Sequence, residues 1–308
     1  MSFPLPWEPD VVAVVELSSG PGTTAAYARA ALSLVPGFTR SGATLPDVEV
    51  RRRGVTVDRA HLAAYDRVCG FRLTDTLPAT YPHVLAFPPA MRLMTAPDFP
   101  LPLIGLVHVA NRITVHRPIP AGAALDLSVR AADLRDHPRG RQFDIVATAT
   151  LDGAEVWRGL STYLRLGPRP PDGQASGQQP AGGDALRRTS VADASPPAGS
   201  VWRVPARVGT DYAAVSGDRN PIHTSWLGAR LFGFPRPIAH GMWTKARSLA
   251  ALEGRLPEAY TVDVTFRKPL LLPASAIFTA VPTPDGWSVS VASRHTHLTG
   301  VITREDGP

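Results

Sequence analysis

Alternating apolar and polar positions recur in both halves of the chain and predict antiparallel strands. In the first half the alternation runs through Phe143–Thr150 and Val156–Leu166, and in the second through Ser275–Val281 and Trp287–Ala292. A period of two places one set of side chains on a buried face and the other set on an exposed face. We therefore expect half-buried strands near the end of each half.

Helical patterns precede these strands. In Gly241–Glu253 the apolar residues recur at three- and four-residue spacing, and Gly254 follows as a natural end of the helix. Shorter helices are predicted after the N-cap candidate Asp58 and before Gly217. Helices followed by antiparallel strands, occurring twice, favour an α+β fold built from two modules.

The two halves also resemble each other in sequence. Tyr65–Gly70 matches Tyr212–Gly217, and VANRITVHRP at 109–118 matches VDVTFRKP at 262–269, which indicates an internal duplication. Residues 168–200, between the halves, are rich in Pro, Gly, Gln and Ser and are typical of a flexible linker. We predict an N-terminal module over 1–167, the linker over 168–200 and a C-terminal module over 201–308. Residues 1–50 include a possible helix, Thr23–Leu34, without an indicated role.

Composition restricts the functional class. Hydrophobic residues make up 44% and charged residues 19% of the 308, which is typical of globular domains. The single Cys69 excludes an intrachain disulfide framework and a cysteine-rich metal site, and it fits a reducing cytoplasm. The net charge is +6, but the basic clusters form no long stripe with interleaved aromatic residues, so no nucleic-acid partner is predicted. No apolar run has the length of a membrane span, so no stable membrane insertion is expected.

The chemically informative segment is Tyr212–Trp243. A helix is expected to end at Gly217, and a loop then presents Asp218, Asn220 and His223. Pro221 biases Asn220 away from helix and holds an irregular turn. A carboxylate and an imidazole five residues apart can hold a water molecule, take a proton from it and return a proton elsewhere.

The start of the following helix offers a second feature. Gly241 presents a free backbone N–H at the positive end of the helix, which suits a carbonyl oxygen that gains negative charge. His240 either faces the substrate or forms a hydrogen bond at the helix terminus. Asn220 either supports the catalytic loop or acts as a simple turn former, because Asn before Pro favours turns.

Two motifs in this region carry a family resemblance. SGDRNPIH at 216–223 and RPIAHGM at 236–242 resemble the hydratase motif of MaoC-like (R)-specific enoyl-thioester hydratases, which have the hotdog fold. The layout in two halves resembles the double-hotdog members, including 3-hydroxyacyl-thioester dehydratases. The resemblance implies two modules, each a long central helix wrapped by an antiparallel sheet, that together form a pseudo-dimer. Residues 80–94 and 105–113 look like the partner module of such proteins.

The resemblance also implies roles for the residues. Asp218 and His223 would be the catalytic dyad, the Gly241 N–H would bind the thioester carbonyl, and Asn220 and His240 would support the substrate site. The reaction would be reversible hydration of a trans-2-enoyl thioester of coenzyme A or acyl carrier protein to the (3R)-hydroxyacyl thioester, in fatty-acid or related acyl metabolism. No metal or cofactor is implied, a homodimer is possible, and the acid and base within the dyad are not assigned.

The first half lacks these groups. The shift that places Tyr65 on Tyr212 places Phe71 on Asp218 and Thr76 on His223. The helix start at Gly241 finds only a poor counterpart in 85–88, where Pro88 has no N–H. We therefore predict one active site per chain, with the first module as a structural and substrate-binding partner that could widen a tunnel for long acyl chains.

Two other functions remain open. The hotdog fold also hosts acyl-thioesterases, but these often carry a carboxylate within the central helix, and Gly241–Leu252 contains none. The second is a non-catalytic acyl-binding module, against which the intact dyad argues.

Overall fold

The computed structural model describes residues 13–17, 44–103, 105–167 and 199–305. The predicted linker lies outside the described residues except for 199 and 200, and Ser200 already begins a strand. The possible helix Thr23–Leu34 also lies outside them. Within the described part of the chain, none of the helices has the length and apolar character needed to cross a membrane.

The described strands form a single sheet of eleven. They are β1 (Ala13–Glu16), β2 (Val48–Val55), β3 (Leu106–Val115), β4 (Leu125–His137), β5 (Gly140–Leu151), β6 (Ala154–Leu166), β7 (Ser200–Val204), β8 (Tyr260–Phe266), β9 (Ala274–Thr283), β10 (Gly286–Ala292) and β11 (Thr296–Arg304). Their spatial order is β1-β2-β4-β5-β6-β3-β8-β11-β10-β9-β7. Neighbours are antiparallel, except that β1 lies parallel to β2. The strands before residue 167 thus occupy one side of the sheet and those after 199 the other.

Six described helices accompany the sheet. They are α1 (Arg59–Cys69), α2 (Tyr81–Met94), α3 (Val208–Ser216), α4 (Pro221–Thr224), α5 (Trp226–Leu231) and α6 (Gly241–Ala250). The predicted cap of α1 is confirmed, since the Asp58 side chain accepts hydrogen bonds from two N–H groups of the first turn. Gly70 and Gly217 end α1 and α3 in the left-handed conformation, at φ 83° and 75°, which glycine adopts without a steric penalty.

Two helix boundaries differ from the sequence expectation. The helix that begins at Gly241 ends at Ala250, and the chain reaches Gly254 through a turn. The segment 85–88, expected to mark a helix start in the first half, lies inside α2, which begins at Tyr81. That expectation was wrong because proline at the start of a helix is common, and the start here is marked by Pro82 while Pro88 and Pro89 lie inside the helix.

The two halves meet where β3 pairs with β8. Arg112 lies opposite Asp263, flanked by Asn111 opposite Val264 and by Ile113 opposite Val262. β3 and β8 are also the two segments that match in sequence. Because they pair antiparallel, an approximate twofold axis through the Arg112–Asp263 pair relates one strand to the other. The ion pair at this centre, 2.6 Å long, is half exposed and adds little stability.

A buried lysine lies behind this seam. The Lys245 side chain, on α6, is fully buried, and its Nζ donates to the Asn111 carbonyl at 3.0 Å, the Asn111 Oδ1 at 2.6 Å and the Val262 carbonyl at 3.0 Å. Asn111 in turn donates through Nδ2 to Ser161 Oγ on β6. Burial lowers the pKa of Lys245, while three acceptors match the three N–H groups of an ammonium. The lysine therefore fixes α6 against strands of both halves.

Replacing this lysine should destabilise the fold. Lys245→Met keeps the apolar stem but leaves three buried acceptors without a donor, and we expect the free energy of unfolding to fall by about 3 kcal/mol. Urea denaturation followed by circular dichroism measures the loss. Lys268→Met is the matched control, since Lys268 is the chain's other lysine and is exposed. Equal effects of the two substitutions would contradict the role of the seam.

Candidate active site

The loop after α3 is built from consecutive side-chain caps. The Asp218 N–H donates to Ser216 Oγ at 3.2 Å, and the Asn220 N–H donates to Asp218 Oδ1 at 3.2 Å. Asn220 Oδ1 then accepts from the Ile222 N–H at 3.3 Å and caps α4, whose first residue is Pro221. Short polar side chains that bond to nearby N–H groups fix such turns. Asn220 therefore shapes the loop locally, and the second carboxylate oxygen of Asp218, Oδ2, lies 3.9 Å from His240 Nε2.

His223 and His240 form a stacked pair beside this loop. Their ring centroids lie 3.6 Å apart at an interplanar angle of 25°. His223 Nδ1 lies 2.8 Å from the Ile238 carbonyl, and His240 Nε2 lies 3.0 Å from the Asp218 carbonyl. Because a carbonyl only accepts, each of these nitrogens carries the proton when its ring is neutral. The Nε2 of His223 and the Nδ1 of His240 are then left as acceptors.

The structure brings the predicted dyad together and adds His240 to it. The side chains of Asp218, His223 and His240 each place one polar atom within 4.8 Å of the others. The Asp218 carboxylate is about one-third exposed, at 30%, whereas His240 is buried. The carboxylate is thus accessible from solvent, whereas the His240 imidazole is not.

This group of three could be compared with a metal site, because three protein ligands are typical of catalytic zinc. The ring geometry argues otherwise. Lone pairs of imidazole lie in the ring plane, and the planes of two rings stacked at 3.6 Å are separate and only 25° apart, which is unfavourable for binding one ion between them. One nitrogen of each ring also faces a backbone carbonyl. The arrangement favours proton transfer over metal binding.

Burial sets the charge state of the two histidines. It lowers the pKa of His223, against which the Asp218 charge acts. It lowers the pKa of His240 to about 3, with the neighbouring His223 adding to the effect and Asp218 opposing it. Both rings are therefore neutral near pH 7, and His223 Nε2 is available to accept a proton.

The helix start at Gly241 adjoins the same loop. His240 precedes α6 in extended conformation and forms no side-chain cap, so the first N–H groups of α6 have no capping side chain. A Cβ on Gly241 would lie 2.9 Å from the Phe266 ring. Glycine is thus required here by close packing on Phe266, in addition to the substrate approach expected from the sequence.

A small cavity lies in the first half, close enough to this site for the charge of Asp218 to act on the pKa of His83 and Tyr163, two of its lining residues. It is lined by His83, Ala86, Phe87, Ala90, Ile145, Ala147, Gly159, Ser161 and Tyr163. His108 links it to the second half, since its ring lies 4.6 Å from Tyr163 and 5.0 Å from Phe266, which packs on Gly241. A chain of ring contacts therefore runs from the cavity across the seam between β3 and β8 to Gly241.

Sequence reasoning did not identify the polar aromatic residues of this cavity. Burial lowers the pKa of His83 to about 4 and of His108 to about 3. His108 Nε2 is buried and has no hydrogen-bond partner among the described residues. His108 lies at a bulge of β3, where its side chain departs from regular alternation. The available signal was a histidine between Val107 and Val109, in the apolar first part of β3.

Similarity to known proteins identifies the family of this chain. Residues 206–281 match the family model described as MaoC like domain. A curated relative, 3-hydroxyacyl-thioester dehydratase X of Mycobacterium tuberculosis, is 37% identical over 284 residues, which are 89% of this chain and 95% of the relative. The chain belongs to the MaoC-like dehydratase family. The resemblance predicted from the two motifs is confirmed.

A second curated relative and a crystal structure are also similar to this MaoC-like protein. Enoyl-CoA hydratase ChsH3 of Mycobacterium tuberculosis is 28% identical over 173 residues, 54% of this chain and 55% of that protein. The crystal structure of HtdX from the same organism is 36% identical, covers 83% of this chain and 100% of its own, and has a TM-score of 0.72. The predicted α+β, double-hotdog fold is confirmed by this likeness and by the sheet described above.

The low pKa of His240 predicts how stability changes with pH. The unfolded chain takes up this proton near pH 6.5 and the folded chain near pH 3, so acid favours unfolding. The destabilisation is absent above pH 6.5 and grows as the pH falls toward 3. When the pH falls from 7 to 5, the free energy of unfolding should decrease by about 1–2 kcal/mol more in wild type than in His240→Asn.

Urea unfolding at a series of pH values measures this difference. His295→Asn is the control, because His295 is exposed. The free energy of unfolding of this variant should change with pH as that of wild type does. Parallel pH profiles for wild type and His240→Asn would show that His240 is not held neutral by burial.

Proposed function

We propose that the protein is a hydro-lyase that interconverts trans-2-enoyl thioesters and (3R)-hydroxyacyl thioesters in fatty-acid or related acyl metabolism. The observation that carries this proposal is the convergence of Asp218 and His223 beside the start of α6. The dehydratase and hydratase names of its relatives support the reaction class. The acyl group would be carried by coenzyme A or acyl carrier protein, and the buried thiol of Cys69 fits a reducing cytoplasm.

The start of α6 would activate the substrate. The thioester oxygen accepts a hydrogen bond from the Gly241 N–H, at the positive end of the helix. This contact strengthens as negative charge moves from the double bond onto the oxygen, so it stabilises the transition state more than the ground state. Withdrawal of charge makes C3 electrophilic toward water.

The dyad would handle the water and its protons. Water lies between the Asp218 carboxylate and His223 Nε2, and its oxygen forms the new bond to C3. His223 Nε2 accepts a proton from the water, because its Nδ1 proton is held by the Ile238 carbonyl. The dyad returns one proton to C2, and the net change is addition of one H–OH across the double bond. Dehydration follows the same steps in reverse.

One site per chain is proposed, in the C-terminal module over residues 201–308. In the first half, Phe71 stacks on Tyr65 with centroids 6.4 Å apart, and Thr76 forms a β-bridge with Pro120. Both positions that match the dyad are thus used for packing and pairing. The module over residues 1–167 would instead bind the substrate, and apolar side chains of its small cavity, such as Phe87 and Ile145, would contact the tail of a long acyl chain.

The dyad can be tested by substitution. Asp218→Asn and His223→Ala should each lower turnover by a factor on the order of 10² to 10⁴, because each removes a proton-transfer group. Thr76→Ala is the matched control from the first half and should change turnover far less. The assay follows loss of absorbance of crotonyl-CoA and longer trans-2-enoyl-CoA, with chiral analysis of the product and circular dichroism of each variant.

The same assay separates the alternatives. Release of free thiol would identify a thioesterase, although α6 carries no carboxylate. Absence of turnover with every coenzyme A and carrier-protein thioester would support a non-catalytic binding role. Equal losses at Asp218 and Thr76 would contradict the single-site assignment.

The cavity can be tested by filling it. Ala147 is buried on β5 and lines the cavity, so Ala147→Leu should obstruct a long acyl tail but not a four-carbon one. We expect kcat/KM for a ten-carbon enoyl-CoA to fall at least about tenfold while that for crotonyl-CoA changes little, with overpacking costing about 1–3 kcal/mol of stability. An equal loss for both chain lengths, or fastest turnover of short chains by wild type, would refute the acyl role of the cavity.

A further inference from the structure

The two halves differ in the connection that precedes their long helix. In the first half, residues 71–80 join Gly70 to α2, whereas in the second half residues 218–240 join Gly217 to α6. The additional residues form α4 and α5, and α4 carries His223. The part of this connection that contains both helices, residues 221–232, is termed the α4–α5 segment, and it occurs only in the half that carries the proposed active site.

The α4–α5 segment exposes its large apolar side chains. Trp226 is 55% exposed, Leu227 63% and Leu231 75%, and Phe232 is also exposed. The face toward the protein is filled instead by Gly228 and Ala229, both buried, and a Cβ on Gly228 would lie 2.7 Å from the Pro221 carbonyl oxygen. Small residues inside and large apolar residues outside reverse the usual pattern of a surface helix. Contiguous exposed apolar side chains of this kind mark interaction surfaces.

Positive charge occurs within this segment and next to it in the sequence. Arg219, Arg230 and Arg236 are exposed, and no aspartate or glutamate occurs from Arg219 to Leu252. The Arg230 guanidinium lies 4.6 Å from the centroid of the Trp226 ring, so charge and apolar surface occur at one place. A partner that fits must therefore combine acidic groups with apolar side chains.

These features select among the possible occupants. A second copy of the chain, meeting this surface through a twofold axis, would bring arginines against arginines, which repel. Coenzyme A could place phosphates on the arginines, but a small nucleotide leaves most of the apolar side chains in water. An acidic acyl carrier protein offers both chemistries and must bring its thioester to the adjacent dyad.

We propose that the α4–α5 segment is the docking surface for an acidic acyl carrier protein that delivers the acyl thioester to Asp218 and His223. This inference rests on the proposed function and assigns the carrier that the reaction alone leaves open. Docking beside the dyad shortens the path of the thioester arm into the site. Coenzyme A thioesters would react through the same site without using this surface.

The test compares one trans-2-enoyl chain on two carriers. We expect Arg230→Glu, and separately the double variant Trp226→Ser/Leu231→Ser, to lower kcat/KM on the acyl carrier protein by on the order of tenfold or more. With the coenzyme A thioester of the same chain, both variants should stay within about twofold of wild type. Arg203→Glu is the matched control, because Arg203 is exposed on β7, where the adjacent Trp202 faces α6 and alternation turns Arg203 to the opposite face.

Binding without turnover is measured in parallel, by fluorescence anisotropy of labelled acyl carrier protein that bears no acyl group. Loss of binding in Arg230→Glu and retention in Arg203→Glu would support docking even if the proposed reaction failed. Equal losses on both carriers, or unchanged kinetics and binding on the carrier protein, would overturn the inference while leaving the hydro-lyase proposal intact. Two further results would overturn the docking inference. In one, Trp226→Ser/Leu231→Ser converts a dimer of the protein to a monomer without changing kinetics or binding with the carrier protein. In the other, the same variant loses binding to anionic phosphatidylglycerol vesicles, again without an effect on the carrier protein.

Discussion

The ammonium group of Lys245 lies behind the seam between β3 and β8, fully buried, with a backbone or side-chain oxygen for each of its donors. A charged group in the interior is tolerated only where its hydrogen bonds are complete. Its acceptors belong to strands of both halves, so α6 can occupy only one position relative to the seam. The start of α6 carries His240 and Gly241. The geometry of the proposed site therefore depends on a contact that lies outside it.

The proposed chemistry depends on burial as much as on residue identity. His223 and His240 donate to backbone carbonyls, and their stacking and burial favour the neutral rings. A histidine with a free Nε2 and a lowered pKa is a competent proton acceptor near neutral pH. The partly exposed Asp218 supplies negative charge at the same place. The loop gains its rigidity from side-chain caps by Asp218 and Asn220, so one short sequence provides both the groups and their support.

Local features of the sequence were the ones that predicted structure well. The Asp58 cap and the glycines after α1 and α3 act through neighbouring residues, and the proximity of Asp218 to His223 follows from a short turn. The start of α2 was predicted at the wrong residues because the segment contains three prolines, and a helix can begin next to any of them. In the helical pattern of the sequence, Lys245 occupies an ordinary polar position. Its burial results from the pairing of β3 with β8, which the sequence pattern does not predict. His83, His108 and Tyr163 were missed for the same reason, since strands and helices distant in sequence bring them together.

The asymmetry of the two halves explains why the proposed site needs both. A duplicated seam would place equivalent loops at two positions, but Phe71 and Thr76 serve packing and pairing in the first half. The cavity of the first half is nevertheless linked through the ring contacts of Tyr163, His108 and Phe266 to Gly241 of the second half. In the proposed arrangement one half would supply proton transfer and the other the surface that binds the acyl tail, and the pairing of β3 with β8 aligns the two. Because the first half would have no proton to transfer, its internal surface would be available to bind the substrate of the second.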